Sequence, residues 1–286
     1  MHHTTLISVE QLQALQASGA PLTVFDCSFD LMNPAAADAL FAQAHIAGAV
    51  QAHLDRDLSA QDAAEAVNGG RHPLPRRERF AAWLSRMGFA NDMQAVVYDR
   101  NGSNYCGRLW WMLKWAGHEA VAVLDGGLQA WEAAGGAVES GPALERPASH
   151  FTLGLERRML ASTSRVAEQL GRPAQTLIDA RGAARFRGEM EPLDPVAGHI
   201  PGALNRPFQE NFGPDGRFKP AEQLRAEFEA LLAGRAPATV VHHCGSGVSA
   251  IPNLLAMEIA GLGTTTLYAG SWSEWCNTPG LPCAQG

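Results

Sequence analysis

Cys244 is the residue in this chain best placed for nucleophilic chemistry. It follows the apolar, β-branched run Thr239-Val240-Val241-His242-His243 and opens the segment Cys244-Gly245-Ser246-Gly247-Val248-Ser249-Ala250. Two glycines so close together let the backbone fold tightly and turn several N–H groups inward, a nest that favours an anion. A helix beginning just beyond it adds the positive end of its dipole. The anion that the chain itself supplies there is a thiolate, which is the reactive form of cysteine. The backbone of Gly245, Gly247, Val248 and Ser249 is expected to line the site. Ser246 places a hydroxyl beside the sulfur, although it also reads as an ordinary loop residue. Cys27 and Cys106 have no comparable glycine-rich setting, and Cys276 and Cys283 lie in a Pro- and Gly-rich tail, so these four read as structural or surface cysteines.

An odd total of five cysteines with no CxxC pair argues against a disulfide framework and against structural zinc. The pairs His2-His3 and His242-His243 do not repair this, because neighbours on an extended strand point to opposite faces. No metal and no cofactor are expected. With 22 Lys and Arg against 29 Asp and Glu, the net charge of −7 provides no overall positive field for a nucleic-acid backbone. Hydrophobic residues make up 46% of the chain and charged ones 18%, enough apolar material for real cores and too little charge for a disordered chain. No run approaches the ~20 apolar residues of a membrane span, and Met1-His2-His3-Thr4-Thr5 lacks a basic region followed by an apolar one, so a cytoplasmic protein away from membranes is expected.

The elements that must hold Cys244 occur twice. Ala95-Val96-Val97-Tyr98-Asp99-Arg100 answers Thr239-Val240-Val241-His242-His243-Cys244, and in the same register Trp131 answers Trp275. Upstream, Val24-Phe25-Asp26 answers Leu177-Ile178-Asp179, and Ala44-His45-Ile46-Ala47-Gly48-Ala49 answers Gly198-His199-Ile200-Pro201-Gly202-Ala203. Two related domains in tandem follow, residues 1–145 and 146–286, joined by a linker near 139–150 that contains Gly141, Pro142 and Pro147. Short β-branched apolar runs alternating with helical patterns predict, in each half, an α/β domain with a mostly parallel sheet and helices on both faces. Ile251, Leu254, Leu255 and Ile259 define one helical face, Pro252 fits the first turn, and Gly261 marks the stop. The tryptophan-rich run Leu109 to Trp115 reads as a packed helix rather than a stacking platform.

On these residues the chain resembles the tandem-domain rhodanese-like sulfurtransferases, and its Cys-Gly-Ser-Gly-Val-Ser loop is most similar to the version in 3-mercaptopyruvate sulfurtransferases. The repeated His-Ile-x-Gly-Ala element, Asp125-Gly126-Gly127 with Trp131, and Asp179-Ala180-Arg181 with Arg185-Phe186 carry the resemblance over nearly the whole length. It implies an inactive first domain, in keeping with Arg100 at the position of Cys244. It also implies that Cys244 takes a sulfur atom as a persulfide and passes it to a thiol, such as thioredoxin or a low-molecular-weight thiol, or to cyanide. Arg185, otherwise readable as a surface cation, would bind the anionic donor, Ser246 would relay a proton with help from His45, and His199 would anchor its loop.

Two departures bear on the donor. Mercaptopyruvate enzymes usually carry a second arginine nine residues after the first, where this chain has Asp194; thiosulfate enzymes usually have basic residues where Gly245 and Ser246 stand. Mercaptopyruvate is the expected donor, with thiosulfate:cyanide transfer as the alternative and a non-enzymatic rhodanese-like binding module as a further one. A phosphatase on the same fold would need an arginine closing the loop, but Ser249 and Ala250 stand there.

Overall fold

A computed structural model describes residues 2–286 and divides them into two compact units. Of the described residues, unit 1 comprises 2–65, 75–157 and 214–217; unit 2 comprises 66–74, 158–213 and 218–286. The expected boundary near 145 is displaced because residues 146–157 fold back onto unit 1. Arg146 Nη2 donates to the Gly48 carbonyl at 2.6 Å, the Ser149 amide donates to Ser85 O at 2.8 Å, and the buried Phe151 ring stacks on Phe89.

In unit 1 the strands are β1 (Leu6–Ile7), β2 (Leu22–Asp26), β3 (His45–Ile46), β4 (Val50–Gln51), β5 (Gln94–Tyr98), β6 (Val121–Leu124) and β7 (Val138–Glu139). The main sheet is parallel throughout in the order β1-β6-β5-β2-β4, with β3 and β7 forming a separate antiparallel pair. Unit 2 contains β8 (Met159–Leu160), β9 (Thr176–Asp179), β10 (Leu204–Asn205), β11 (Val240–His243) and β12 (Thr266–Leu267), parallel in the order β10-β9-β11-β12-β8. Read from the other edge this is the same order, so the sequence repeat is a structural one. The central strands β5 and β11 are buried at every position, as strands covered on both faces must be, and the hydrophobic sequence runs follow from that.

Helices follow the strands as the periodicity requires. Helix Ile251–Ile259 has Pro252 in its first turn and buries Ile251, Leu254 and Leu255, while Gly261 leaves it at φ +68°. Helix Cys106–Trp115 is buried along its full length, with Trp110 and Trp111 wholly enclosed: the tryptophans are core. Trp131 and Trp275, equivalent in the repeat, are both buried and donate their indole N–H to the carbonyls of Ala137 and Pro282 at 3.0 and 2.8 Å. No helix among the described residues is long and apolar enough to cross a membrane.

Candidate active site

The site in unit 2 begins where β11 ends. His243 is in register with Asp179 of β9, and Cys244 follows at the carboxyl edge of the sheet, where open α/β sheets present their reactive groups. Cys244 is 2% exposed. The first turn of the helix Ser271–Trp275 straps its loop down: the Cys244 amide donates to Ser271 Oγ at 3.1 Å, and the carbonyls of Cys244 and Gly245 accept from the amides of Trp272 and Ser273 at 3.0 and 2.9 Å. Ser271 holds a left-handed φ of 55° and donates its hydroxyl to the Tyr268 carbonyl at 2.9 Å. Gly247, at φ +74°, has no room for a side chain, since a Cβ there would lie 2.3 Å from the Ala269 carbonyl oxygen. Among the described residues, no hydrogen bond is made by the amides of Gly245, Ser246, Val248 and Ser249. The glycine-rich loop therefore keeps a set of donors available to an anion.

Unit 1 shows the same loop already filled. Asp99, the counterpart of His243, accepts from the amides of Asn101, Ser103, Tyr105 and Cys106 at 2.8 to 3.0 Å. Arg100, in the place of Cys244, donates from Nε to Ser28 Oγ at 3.2 Å and from Nη2 to the carbonyls of Leu40 and Ala44. An internal carboxylate takes the donors, and a guanidinium stands where a nucleophile would be.

Ser246 is buried and its Oγ lies 2.7 Å from Nδ1 of His72, itself only 6% exposed. His72 comes from the 66–74 loop, which belongs to unit 2 although it is encoded inside the first repeat. His45, which the resemblance offered as the partner of Ser246, has its own environment in unit 1. Its ring stacks on Phe41 at 3.9 Å, Nδ1 meets the Phe41 carbonyl at 2.8 Å, and Nε2 faces Glu139 at 3.9 Å. His199 repeats this arrangement in unit 2, stacked on Phe186 at 3.8 Å with Nδ1 2.8 Å from the Phe186 carbonyl. Both histidines of the repeated element thus hold their own loops.

Beside the Cys244 loop runs a network of three cations and three carboxylates. Arg181, almost fully buried, pairs with Asp179 at 2.7 Å and Glu191 at 3.2 Å and lies 4.8 Å from the centre of the Trp272 ring. Burial works against its charge, but Asp179, Glu191 and the nearby Cys244 more than compensate and strengthen its hold on the proton. Arg185 is held by Glu191 at 2.6 Å and by Asp194 at 3.4 Å. Asp194 also takes Arg71 at 2.6 Å. A Cβ built on Gly245 would lie 3.1 Å from Arg71 Nη2 and 3.6 Å from Arg185 Nη1, so both guanidiniums cover the residue next to Cys244.

Of the sequence-predicted residues, unit 2 brings together Cys244, Gly245, Ser246, Gly247 and Arg185, with Val248 and Ser249 continuing the loop; His45 belongs to unit 1. Arg71 and His72 were missed. Their one trace in the sequence is a length difference: Gly48 answers Gly202 and Arg100 answers Cys244, so the first repeat is ten residues longer between those points. The 66–74 loop falls within that stretch.

The chain is thus a pair of α/β domains of one fold, in which one strand-end loop cradles a buried cysteine and the other is blocked. The chain belongs to the rhodanese family: residues 8–134 and 162–278 each match the rhodanese-like domain. It is 45% identical over 287 aligned residues, the whole of both chains, to a probable 3-mercaptopyruvate sulfurtransferase of Pseudomonas aeruginosa. A putative thiosulfate sulfurtransferase of Mycobacterium tuberculosis is 37% identical over 98% of this chain and 97% of its own. Among solved structures, a 3-mercaptopyruvate sulfotransferase of Escherichia coli superposes with a TM-score of 0.77 at 30% identity, covering 95% of this chain and all of that one. The chain is a sulfurtransferase.

Proposed function

We propose that the chain transfers sulfur from 3-mercaptopyruvate to a thiol, or to cyanide, through a persulfide on Cys244. The observation that carries this reading is the neutral, donor-rich loop around Cys244 with the Ser246 hydroxyl 2.7 Å from an imidazole. The Cys244 thiolate attacks the sulfur of the donor, forming a new S–S bond. The C–S bond breaks with its electron pair going to carbon, which leaves the enolate of pyruvate. Ser246, backed by His72, is the local source of the proton that quenches this enolate at carbon. An acceptor thiolate then attacks the outer sulfur, and Cys244 leaves as thiolate. Loop amides and Arg185 stabilise the negative charges at each stage.

The charge balance favours this donor over thiosulfate. Arg71 and Arg185 are already matched by Glu191 and Asp194, and Gly245 and Ser246 bring no charge, so a dianion finds no net positive field. A cytoplasmic setting accords with five cysteines that are all free thiols. The thiol acceptor is thioredoxin or a small thiol.

The test is a kinetic comparison of the two donors with intact-protein mass spectrometry. Mercaptopyruvate should exceed thiosulfate in kcat/KM by roughly tenfold to a hundredfold, the value of a charge-assisted contact that thiosulfate lacks here. The wild type should gain one sulfur and Cys244→Ser none. Equal or better use of thiosulfate overturns the donor assignment; sulfur uptake by Cys244→Ser overturns the nucleophile.

A further inference from the structure

We infer that Arg71 is the second anion-binding cation of this site, delivered by the 66–74 loop and clamped in place by Asp194. The inference rests on the sulfur-transfer reading for the identity of the donor, but its geometry stands on its own. Position 194, nine residues after Arg185, holds an acid. That acid is 3% exposed and bridges two guanidiniums, Oδ1 to Arg71 Nη1 at 2.6 Å and Oδ2 to Arg185 Nη2 at 3.4 Å. The remaining ends of the two cations converge. Arg71 Nη2 and Arg185 Nη1 are the atoms nearest to a Cβ built on Gly245, and neither makes a hydrogen bond among the described residues. Arg71 Nε is buried without a partner as well.

The 66–74 loop is built to deliver this side chain. It closes on itself through Val67 N to Leu74 O at 2.8 Å and Leu74 N to Asn68 Oδ1 at 3.0 Å. The Arg71 amide is fixed to Ser273 Oγ at 3.0 Å, on the same turn that straps down Cys244. Gly70, at φ +90°, passes so close to that turn that a Cβ would lie 2.7 Å from the Gly270 carbonyl oxygen. With 26% of its side chain exposed, Arg71 reaches solvent from beside the nucleophile, where an incoming carboxylate arrives. Two guanidiniums presenting N–H groups to one spot, their charge balanced by two buried acids, select a singly charged carboxylate and hold it against the Cys244 loop.

The experiment compares alkylation of Cys244 in the full-length protein by iodoacetate, an anion, and iodoacetamide, its neutral analogue. Arg71→Ala should lower the iodoacetate-to-iodoacetamide rate ratio by about tenfold or more, and Arg71→Lys should restore part of it. With 3-mercaptopyruvate, Arg71→Ala should raise KM about tenfold to a hundredfold and leave kcat within about threefold. Arg71→Gln serves where the alanine variant fails to fold. An unchanged alkylation ratio, or a fall in kcat at constant KM, overturns the inference. Failure of the wild type to turn over 3-mercaptopyruvate would instead overturn the donor assignment, with the alkylation ratio still deciding the role of Arg71.

Discussion

Chemistry at this site depends on which histidine reaches Ser246. His72 Nδ1 and Ser246 Oγ lie 2.7 Å apart, while the rings of His45 and His199 are stacked on phenylalanines and tied to the carbonyls four and thirteen residues earlier in the chain. The two kinds of histidine should therefore separate in experiment. His72→Ala should lower the rate of Cys244 sulfur loading by roughly a hundredfold, the usual value of a lost proton relay, with little change in thermal midpoint. His45→Ala removes a buried ring from a stack and should lower the thermal midpoint while leaving the loading rate nearly intact. Stopped-flow loading and calorimetry on both variants check this, and a large loss of rate in His45→Ala would reverse the assignment.

Among the elements, the helix Ala221–Leu232 shows how unit 2 is pinned at its edge. Glu227 on this helix accepts from Arg206 and Lys219, both at 2.8 Å, and from Gln223 at 2.9 Å. Partial burial opposes its charge, but these contacts prevail and bring its pKa down to about 2 from the ordinary 4.5. The unfolded chain thus binds a proton at a pH where the folded chain does not. The stability this carboxylate contributes is complete above pH 4.5 and is lost as pH falls through 4.5 toward 2. Glu227→Gln should be less stable than wild type at pH 7, and the gap should close as pH drops across that window. Denaturant midpoints measured from pH 7 to pH 3 would show it; a constant gap would mean that Glu227 acts through packing alone.

At the scale of the whole molecule, duplication has given one fold two opposite uses. The two sheets share their strand order, yet the strand-end loop of unit 1 is closed by the Asp99 carboxylate and the Arg100 guanidinium, while in unit 2 the amides of Gly245, Ser246, Val248 and Ser249 make no hydrogen bond among the described residues. Restoring only the nucleophile should therefore not restore a site. Arg100→Cys should take up no second sulfur from mercaptopyruvate in intact-protein mass spectra, because Asp99 still occupies the nest. A mass corresponding to two added sulfurs would contradict this account.

The architecture was legible in the sequence because it is written in local patterns, and the same kind of pattern nominated Cys244 as the nucleophile. Apolar β-branched runs followed by helical periodicity define buried parallel strands, the recurrence of Val-Val before Arg100 and before Cys244 defines the tandem repeat, and the Gly-x-Gly spacing after Cys244 defines a loop of inward amides. Arg185 was nominated in the same way, through the Arg-Phe context of the resemblance. The partners of these residues were not, since they depend on contacts between segments far apart in the chain. His72 lies 174 residues from Ser246, and Arg71 lies 123 residues from Asp194. In the sequence, Gly69-Gly70-Arg71-His72-Pro73 is only a glycine- and proline-marked turn in the half that carries no nucleophile, and Asp194 is only a missing arginine. Tertiary structure decided the rest: the 66–74 loop packs on the turn at 270–273, and that packing places an imidazole on Ser246 and a second cation over Gly245.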